Sequence, residues 1–256
     1  MKPDGRRERI VERTRERETI SVEELAKWLR VSRETIRRDL TVLATEGRIR
    51  KVHGGATLPP IHREGRFSER LKEAVQQKNA IAATAARLFS TSSTMFIDVG
   101  TTTLTFAEAI AGRTHLTVIT NGLEIARLLA HSGVRTYLVG GELNSDAAET
   151  IGPLAVDQIS RFHAEHAVIS VAGLTARGAM DFQLDEAQIA REMINHARSV
   201  TVLANGAKLG RDALFRVCTL AEIDRIVTDD VPGLLADDLR AAGVEVVIAR
   251  TDGLAL

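Results

Sequence analysis

Five short stretches of the chain combine glycine with hydroxyl, amide or charged residues, the materials of a polar-ligand site. Asp98-Val99-Gly100-Thr101-Thr102-Thr103 runs into a helical pattern, and hydroxyls beside the open N–H groups of a helix start suit a phosphate or another anion. Thr120-Asn121-Gly122 also opens a helix, and Gly140-Gly141-Glu142 closes an apolar run. Gly173-Leu174-Thr175 precedes Arg177 and Asp181, and Asn205-Gly206-Ala207 ends on Lys208. Each alone is weak, because glycine after a strand usually only makes a turn. None matches a Walker loop or a dinucleotide fingerprint, so no cofactor is expected. A second constellation stands near the amino terminus: Ser32, Arg33, Thr35, Arg37 and Arg38, then Arg50, Lys51 and His53. Guanidinium groups near a capped helix start suit phosphates and guanine edges.

The elements that must hold the basic constellation are legible in the surrounding pattern. Residues 6–17 are mostly charged, with Ile10 and Val11 the chief apolar positions, which predicts a helix with one narrow buried face. Ser21 and Glu24 form a capping box for a second helix over 22–29, with Leu25, Trp28 and Leu29 at helical spacing. Trp28 reads as a helix-packing aromatic. Only Arg30, Val31 and Ser32 separate it from a third helix that Ser32 caps and that runs to about Glu46, with Gly47 as its stop. Ile36, Leu40 and Leu43 fall on one buried stripe of that helix. Glu34, Arg38 and Thr41 lie opposite, flanked by Thr35 and Arg37. Residues 48–53 alternate as a basic strand, and Gly54-Gly55 turns into Ala56-Thr57-Leu58 as a hairpin wing. Two helices joined by a tight turn and followed by a basic wing make a winged helix-turn-helix.

Beyond Pro59-Pro60 the character changes. Residues 61–70 are polar and suit a linker, and 68–89 read as one alanine-rich helix buried through Ala74, Ile81, Ala85 and Leu88. Apolar runs at 95–99, 116–120, 136–139, 167–172, 200–204, 225–228 and 244–248 then alternate with helical patterns at 104–111, 123–131, 154–162, 185–197 and 233–242. Apolar strands alternating with helices predict a Rossmann-like parallel-sheet α/β domain covered on both faces. In an open sheet of this kind the ligand crevice lies at the carboxyl ends of the strands, where all five glycine motifs fall. The domains expected are 1–58 for DNA, 59–73 as linker, and 74–256 for effector binding and oligomerisation.

Charge supports that division. The whole chain balances 34 Lys+Arg against 34 Asp+Glu, but residues 1–58 carry 15 against 10 and residues 59–256 carry 19 against 24. A basic amino-terminal segment on an acidic body points to nucleic acid at one end. One cysteine, Cys218, excludes a disulfide framework and reads as a small core residue. Seven histidines without ligand spacing argue against a metal site. No apolar run reaches the roughly 18–20 residues of a membrane helix, and the first residues lack a signal-peptide core, so the cytoplasm is expected and no membrane partner.

Val-Ser-Arg-Glu-Thr-Ile-Arg-Arg-Asp-Leu (31–40), Glu46-Gly47 and Val-His-Gly-Gly-Ala (52–56) resemble the DNA-binding signature of DeoR/GlpR-type bacterial transcription regulators. That resemblance implies a third helix in the major groove, led by Arg33, Thr35, Arg37 and Arg38. For any one arginine, phosphate positioning is the commoner role than base readout. Asp-Val-Gly-Thr-Thr-Thr (98–103), Thr-Asn-Gly (120–122), Gly-Gly (140–141), Asp-Glu-Ala (185–187) and Asn-Gly-Ala-Lys (205–208) resemble the effector domain of the same family. It is similar to the ribose-5-phosphate isomerase and glucosamine-6-phosphate deaminase fold and senses a phosphorylated sugar or related metabolite. Carried over by motif, Gly100, Thr101, Thr102 and Thr103 hold the phosphate, Asn121, Gly141, Asp181, Glu186 and Lys208 line the sugar side, and Asp98 counts with them as effector-binding. Asn205 stands where many relatives carry an acidic residue.

The function expected is a repressor of carbohydrate-metabolism genes, bound to a double-stranded operator and controlled by a phosphorylated sugar. The rival is a sugar-phosphate isomerase or deaminase with an appended DNA-binding domain, in which Asp98, Asp181 or Glu186 serves as base. Helix-turn-helix proteins usually bind paired half-sites, so a homo-oligomer, dimer or tetramer, assembled through the larger domain is expected.

Overall fold

The structure, a computed structural model, describes residues 3–17, 19–45, 48–52, 54–57 and 65–250. The chain divides into two compact units, 1–61 and 62–256.

In the first unit, α1 (Pro3–Arg17), β1 (Thr19–Ser21), α2 (Val22–Leu29), α3 (Arg33–Thr45), β2 (Arg50–Val52) and β3 (Gly55–Thr57) follow in order. Both halves of the Ser21–Glu24 capping box form, and Ser32 Oγ accepts the Thr35 amide at 3.1 Å to start α3. Between them Arg30 takes a left-handed conformation (φ 54°), turning the chain within three residues. Ile36, Leu40 and Leu43 are buried against Ile10, Val11, Leu25 and Leu29, each worth about 1.5–3 kcal/mol of transfer energy. Asp39 is buried as well and takes ion pairs from Arg6 (2.6 Å) and Arg7 (3.4 Å), tying α1 to α3. Trp28 stays 37% exposed and lies beneath the Arg9 and Arg13 guanidinium groups of α1, at 4.6 and 5.3 Å.

The expected two-stranded wing is a three-stranded sheet in the order β1-β3-β2, with Ile20 paired to Ala56. Three residues before α2 carry no strand pattern of their own; the pairing with β3 makes them one. Gly55 is required there, because a Cβ would overlap the carbonyl oxygen of Ile20. The basic strand is shorter than its alternation, Arg50–Val52, and Arg48 turns back to Glu8 of α1 at 2.6 Å. Glu46, Gly47, His53 and residues 58–64, with Pro59-Pro60 and much of the expected linker, lie outside the described residues.

The second unit is doubly wound. The expected single helix over 68–89 is two, α4 (Phe67–Arg70) and α5 (Val75–Leu88), because Ala74 adopts a left-handed conformation (φ 47°) that no continuous helix accepts. Leu88 is 37% exposed rather than buried, while Lys78 is buried and donates to the carbonyl of Arg70 across the break. Then come β4 (Thr94–Ile97), α6 (Thr101–Ile110), β5 (Thr117–Thr120), α7 (Leu123–Ala130), β6 (Arg135–Leu138), β7 (Glu142–Asn144), β8 (Glu149–Ile151), α8 (Pro153–Ile159) and β9 (Ala164–Ser170). The rest comprises β10 (Gly173–Thr175), β11 (Gly178–Asp181), α9 (Leu184–Asn195), β12 (Ala197–Leu203), a 3-10 turn at Gly206–Lys208, β13 (Phe215–Cys218), a second 3-10 turn at Leu220–Glu222, β14 (Arg225–Thr228), α10 (Gly233–Ala241) and β15 (Glu245–Ile248).

All seven expected strands join one parallel sheet, ordered β15-β14-β12-β9-β4-β5-β6. Alternate side chains feed two cores. Met95, Ile97, Val118 and Val168 meet α5 and α6, while Phe96, Ala167, Ile169 and Val202 meet α8 and α9. The chain runs outward from β4 to β6, then returns to β9 on the other side of β4. The strand order therefore reverses between β4 and β9, which opens a crevice at their carboxyl ends. Two features that no periodicity announced close over that edge: the β7–β8 hairpin and the antiparallel sheet β10-β11-β13.

Candidate functional site

On the first unit the basic residues cluster around α3. Arg33, Arg37 and Arg38 expose most of their side chains and make only surface ion pairs: Arg33 with Glu23 at 2.8 Å, Arg37 and Arg38 with Glu34 at 3.9 and 3.8 Å. Exposed pairs of this kind are worth little and are readily exchanged for phosphate. Ser32 Oγ accepts the Thr35 amide and meets the Thr35 hydroxyl at 2.9 Å, so Ser32 serves as a cap. Lys51 reaches from the wing to Thr41 Oγ1 on the exposed face of α3 at 3.1 Å, which joins wing and helix in one basic surface. Arg50, its neighbour on a three-residue strand, is exposed on the opposite side of the pleat.

The second site is built at the β4–β9 reversal. Gly100 lets the loop after β4 pass against β9, where a Cβ would come within 2.5 Å of the Ser170 Cβ. Thr101, Thr102 and Thr103 form the first turn of α6 and are buried, with the Thr103 hydroxyl donating to the Gly100 carbonyl at 3.0 Å. Amides of a first helical turn have no intrahelical acceptor and face whatever lies beyond the helix start. Asn121, at the end of β5, donates to Glu149 Oε2 at 3.0 Å and to the Thr150 carbonyl at 3.3 Å. Its own Oδ1 is buried without a hydrogen-bond partner, as is Asn205 Oδ1 after β12. Lys208 Nζ donates to the Val171 carbonyl at 2.6 Å, just past the end of β9.

Four carboxyl groups gather there. Glu149, fully buried on β8, accepts from Asn121 on one oxygen and from Asn144 on the other (3.2 Å), and hydrogen-bonds Glu186 of α9. A bond between two carboxyl groups requires a shared proton. Burial first, then the nearby Asp181 charge, push Glu149 up from 4.5 to about 7. Burial, with Glu149 and Asp181 next, likewise holds Asp98 well above the usual carboxylate range although the Val99 and Ser170 amides donate to it. Asp181 Oδ1 accepts from the Phe182 amide at 2.6 Å, and Glu186 Oε1 from Gln183 at 2.7 Å. Gly141 is exposed and serves the packing of the hairpin, since a Cβ there would lie 2.6 Å from the Ile151 carbonyl oxygen and 3.1 Å from Ala155. Sequence reasoning missed Glu149 and Asn144. Neither belongs to a glycine motif, and only hairpin pairing, Asn144 opposite Glu149, brings them to Asn121. Among the described residues no group of His, Cys, Asp or Glu is arranged to hold a metal ion.

An arginine-bearing winged helix and a separate doubly wound unit with a polar site at its switch point define a ligand-sensing transcription regulator. Residues 6–61 match the model of the DeoR-like helix-turn-helix domain, and residues 73–230 that of the DeoR C terminal sensor domain. The chain belongs to the DeoR family. It is 33% identical to the HTH-type transcriptional repressor CsqR of Escherichia coli, over 93% of this chain and 92% of that protein. It is 32% identical to the glycerol-3-phosphate regulon repressor of Escherichia coli, over 91% and 93%. With the HTH-type transcriptional repressor GlcR of Bacillus subtilis it shares 32% over 95% of each. Among solved structures, a ribose 5-phosphate isomerase from Methanocaldococcus jannaschii aligns at TM-score 0.39 and 14% identity, over 52% of this chain and 53% of that one, a likeness too slight to argue from. The three relatives matched over nine-tenths or more of their length are transcriptional repressors, and the isomerase–deaminase reading falls with that.

Proposed function

We propose that the protein represses carbohydrate-metabolism genes, and that a phosphorylated sugar or related metabolite releases it from its operator. In this reading residues 1–58 bind DNA, 59–73 link, and 74–256 sense and assemble into a dimer or tetramer in the cytoplasm. Arg33, Thr35, Arg37 and Arg38, with Lys51 and His53 of the wing, face the duplex, Arg50 meets its backbone from the other side of the wing strand, and Ser32 presents the helix start. One observation carries the effector assignment: the hydroxyl-rich start of α6 and Lys208 flank the same switch point as Asn121 and the carboxyl cluster. An anion at Gly100, Thr101, Thr102 and Thr103 would meet helix N–H groups. Sugar hydroxyls would meet acceptors on Asp98, Asn121, Asp181 and Glu186, with Gly141 shaping the adjoining hairpin. The names of the relatives favour the same chemistry, since one represses a glycerol-3-phosphate regulon.

The groups at the heart of this site are buried, Asp98, Thr102 and Asn121 among them. Access therefore requires the β7–β8 hairpin to lift, because Glu149 and Thr150 of that hairpin are what cover Asn121. The effector shifts the protein only as far as it favours the lifted state over the closed one. Fluorescence anisotropy on the chain's own upstream DNA, titrated with a panel of sugar phosphates, tests the proposal. Salt-sensitive, sequence-dependent binding that one phosphate ester weakens and its unphosphorylated sugar does not is the expected result. Absence of sequence-dependent binding would end the repressor reading, and indifference to every ester would end the effector reading.

A further inference from the structure

The second unit bears an open groove of about 580 Å³ between α9 and the outer face of β11 and β13. Its floor is apolar: Met180, Leu184, Ala187 and Phe215. Arg177, Arg191 and Arg216 form its rim. On α9, Leu184, Ala187, Gln188 and Arg191 fall at i, i+3, i+4 and i+7, so one whole helix face is presented to the groove. The opposite face, with Ile189, Ala190 and Met193, is spent on the core. Arginine, methionine and an aromatic ring, without lysine or a carboxylate in the lining, is the composition of a protein–protein interface core. Arg177 pairs with Asp212, Arg191 donates to the Arg216 carbonyl, and Glu222 lies within the field of Arg191 and Arg216. The lining is basic on an otherwise acidic unit, so two grooves face to face would set like charges together.

The complementary feature is on α10. Leu234 is 87% exposed, more than any other large apolar side chain among the described residues. Asp237 and Asp238, at i+3 and i+4, share its helix face and are exposed. Leu235 and Leu239 are buried, which fixes that face rigidly outward. Its own groove does not take Leu234, given that exposure.

We propose that the α9–β11–β13 groove receives the α10 face of a second copy of this chain, with Leu234 entering the apolar floor and Asp237 and Asp238 meeting the arginines. This rests on the homo-oligomer reading above and names its interface. Each copy carries one groove and one α10 face, so a two-fold pair makes both contacts reciprocally. The Asp237–Arg240 pair within α10 (2.7 Å) exchanges for the new one. The walls of the groove also carry Asp181 and Glu186 toward the effector site, so assembly and effector binding act on the same two elements, β11 and α9.

The test is light scattering on the full chain across a concentration series, with Leu234→Glu altering the α10 face and a double variant, Arg191→Glu with Arg216→Glu, altering the groove. Each is expected to weaken association at least about tenfold. A one-to-one mixture of the two should associate more tightly than either variant alone, because the mixed pair restores one of the two reciprocal contacts: the groove variant keeps its α10 face and the other keeps its groove. Variants that assemble like the parent, or a mixture that associates no more tightly than either variant alone, overturn the proposal while the oligomer reading stands. A monomeric parent protein overturns both. Asp238→Arg, at an exposed helical position, replaces Leu234→Glu should that variant lose cooperative unfolding.

Discussion

Glu149→Gln removes the one charge on β8 that burial resists, and the consequence can be worked through. A carboxyl raised in the folded state stabilises the fold while it is protonated, and that contribution is lost as pH rises through the folded value. Between 4.5 and about 7 the folded protein therefore holds a proton that the unfolded chain has released. The rise corresponds to about 3 kcal/mol, spent almost fully by pH 8 and barely at pH 5. Glutamine carries no such cost, but both Glu149 oxygens accept amide N–H groups, from Asn121 and Asn144. Its own NH2 must face one of them, which forfeits about 1 kcal/mol. The variant should thus match the parent near pH 5 and exceed it by about 2 kcal/mol at pH 8. Urea unfolding at pH 5, 6, 7 and 8, followed by far-UV circular dichroism, measures the difference. Trp28, the chain's only tryptophan, reports on the DNA-binding unit separately. Parallel pH profiles for the two proteins would refute the assignment of a buried, proton-holding Glu149.

Other perturbations follow from the same geometry. Asp39→Asn strips the buried acceptor from Arg6 and Arg7 and should cost the DNA-binding unit about 2–3 kcal/mol, read as a lowered melting temperature by Trp28 fluorescence. Arg37→Ala and Arg38→Ala should leave that melting temperature unchanged; each that contacts phosphate should lower the slope of log binding constant against log salt by about 1. Gly100→Ala drives a Cβ into Ser170 and should destabilise the sensor unit by about 1–3 kcal/mol, with Ser170→Gly restoring much of it in the double variant. Thr102→Glu places a carboxylate at the start of α6 and should abolish thermal stabilisation by sugar phosphates while operator binding persists; retained stabilisation would count against the phosphate assignment.

Short-range physics was readable directly. The Ser21–Glu24 box, the three-residue turn and the Ile36–Leu40–Leu43 stripe depend on neighbours at most seven residues away, so helical spacing and hydroxyl caps sufficed. The inner strands were equally plain, because a parallel strand buried on both faces must be apolar throughout, whereas the apolar edge strands β6 and β15 leave much of their surface exposed. Three things escaped that reading. The helix over 68–89 breaks at Ala74, a residue of high helical propensity, where the carbonyl of Arg70 is taken by buried Lys78. Asp39 had no place in the reading of α3 and is the buried anchor of α1, since the arginines that neutralise it lie 32 and 33 residues away. Glu149 sits in no motif at all.

The sequence alone determined the capped helices α2 and α3, the seven parallel strands, the basic third helix and the class of regulator, because capping, periodicity and charge distribution are local properties of the chain. Tertiary structure decided which strand lies beside which. Once β9 pairs with β4, five loops separated by up to about a hundred residues converge on one crevice, and the hairpin closing it brings a fourth carboxyl group among them. The burial that raises Glu149 toward neutrality exists only in that assembled edge, and no residue in its own neighbourhood of the chain could have announced it.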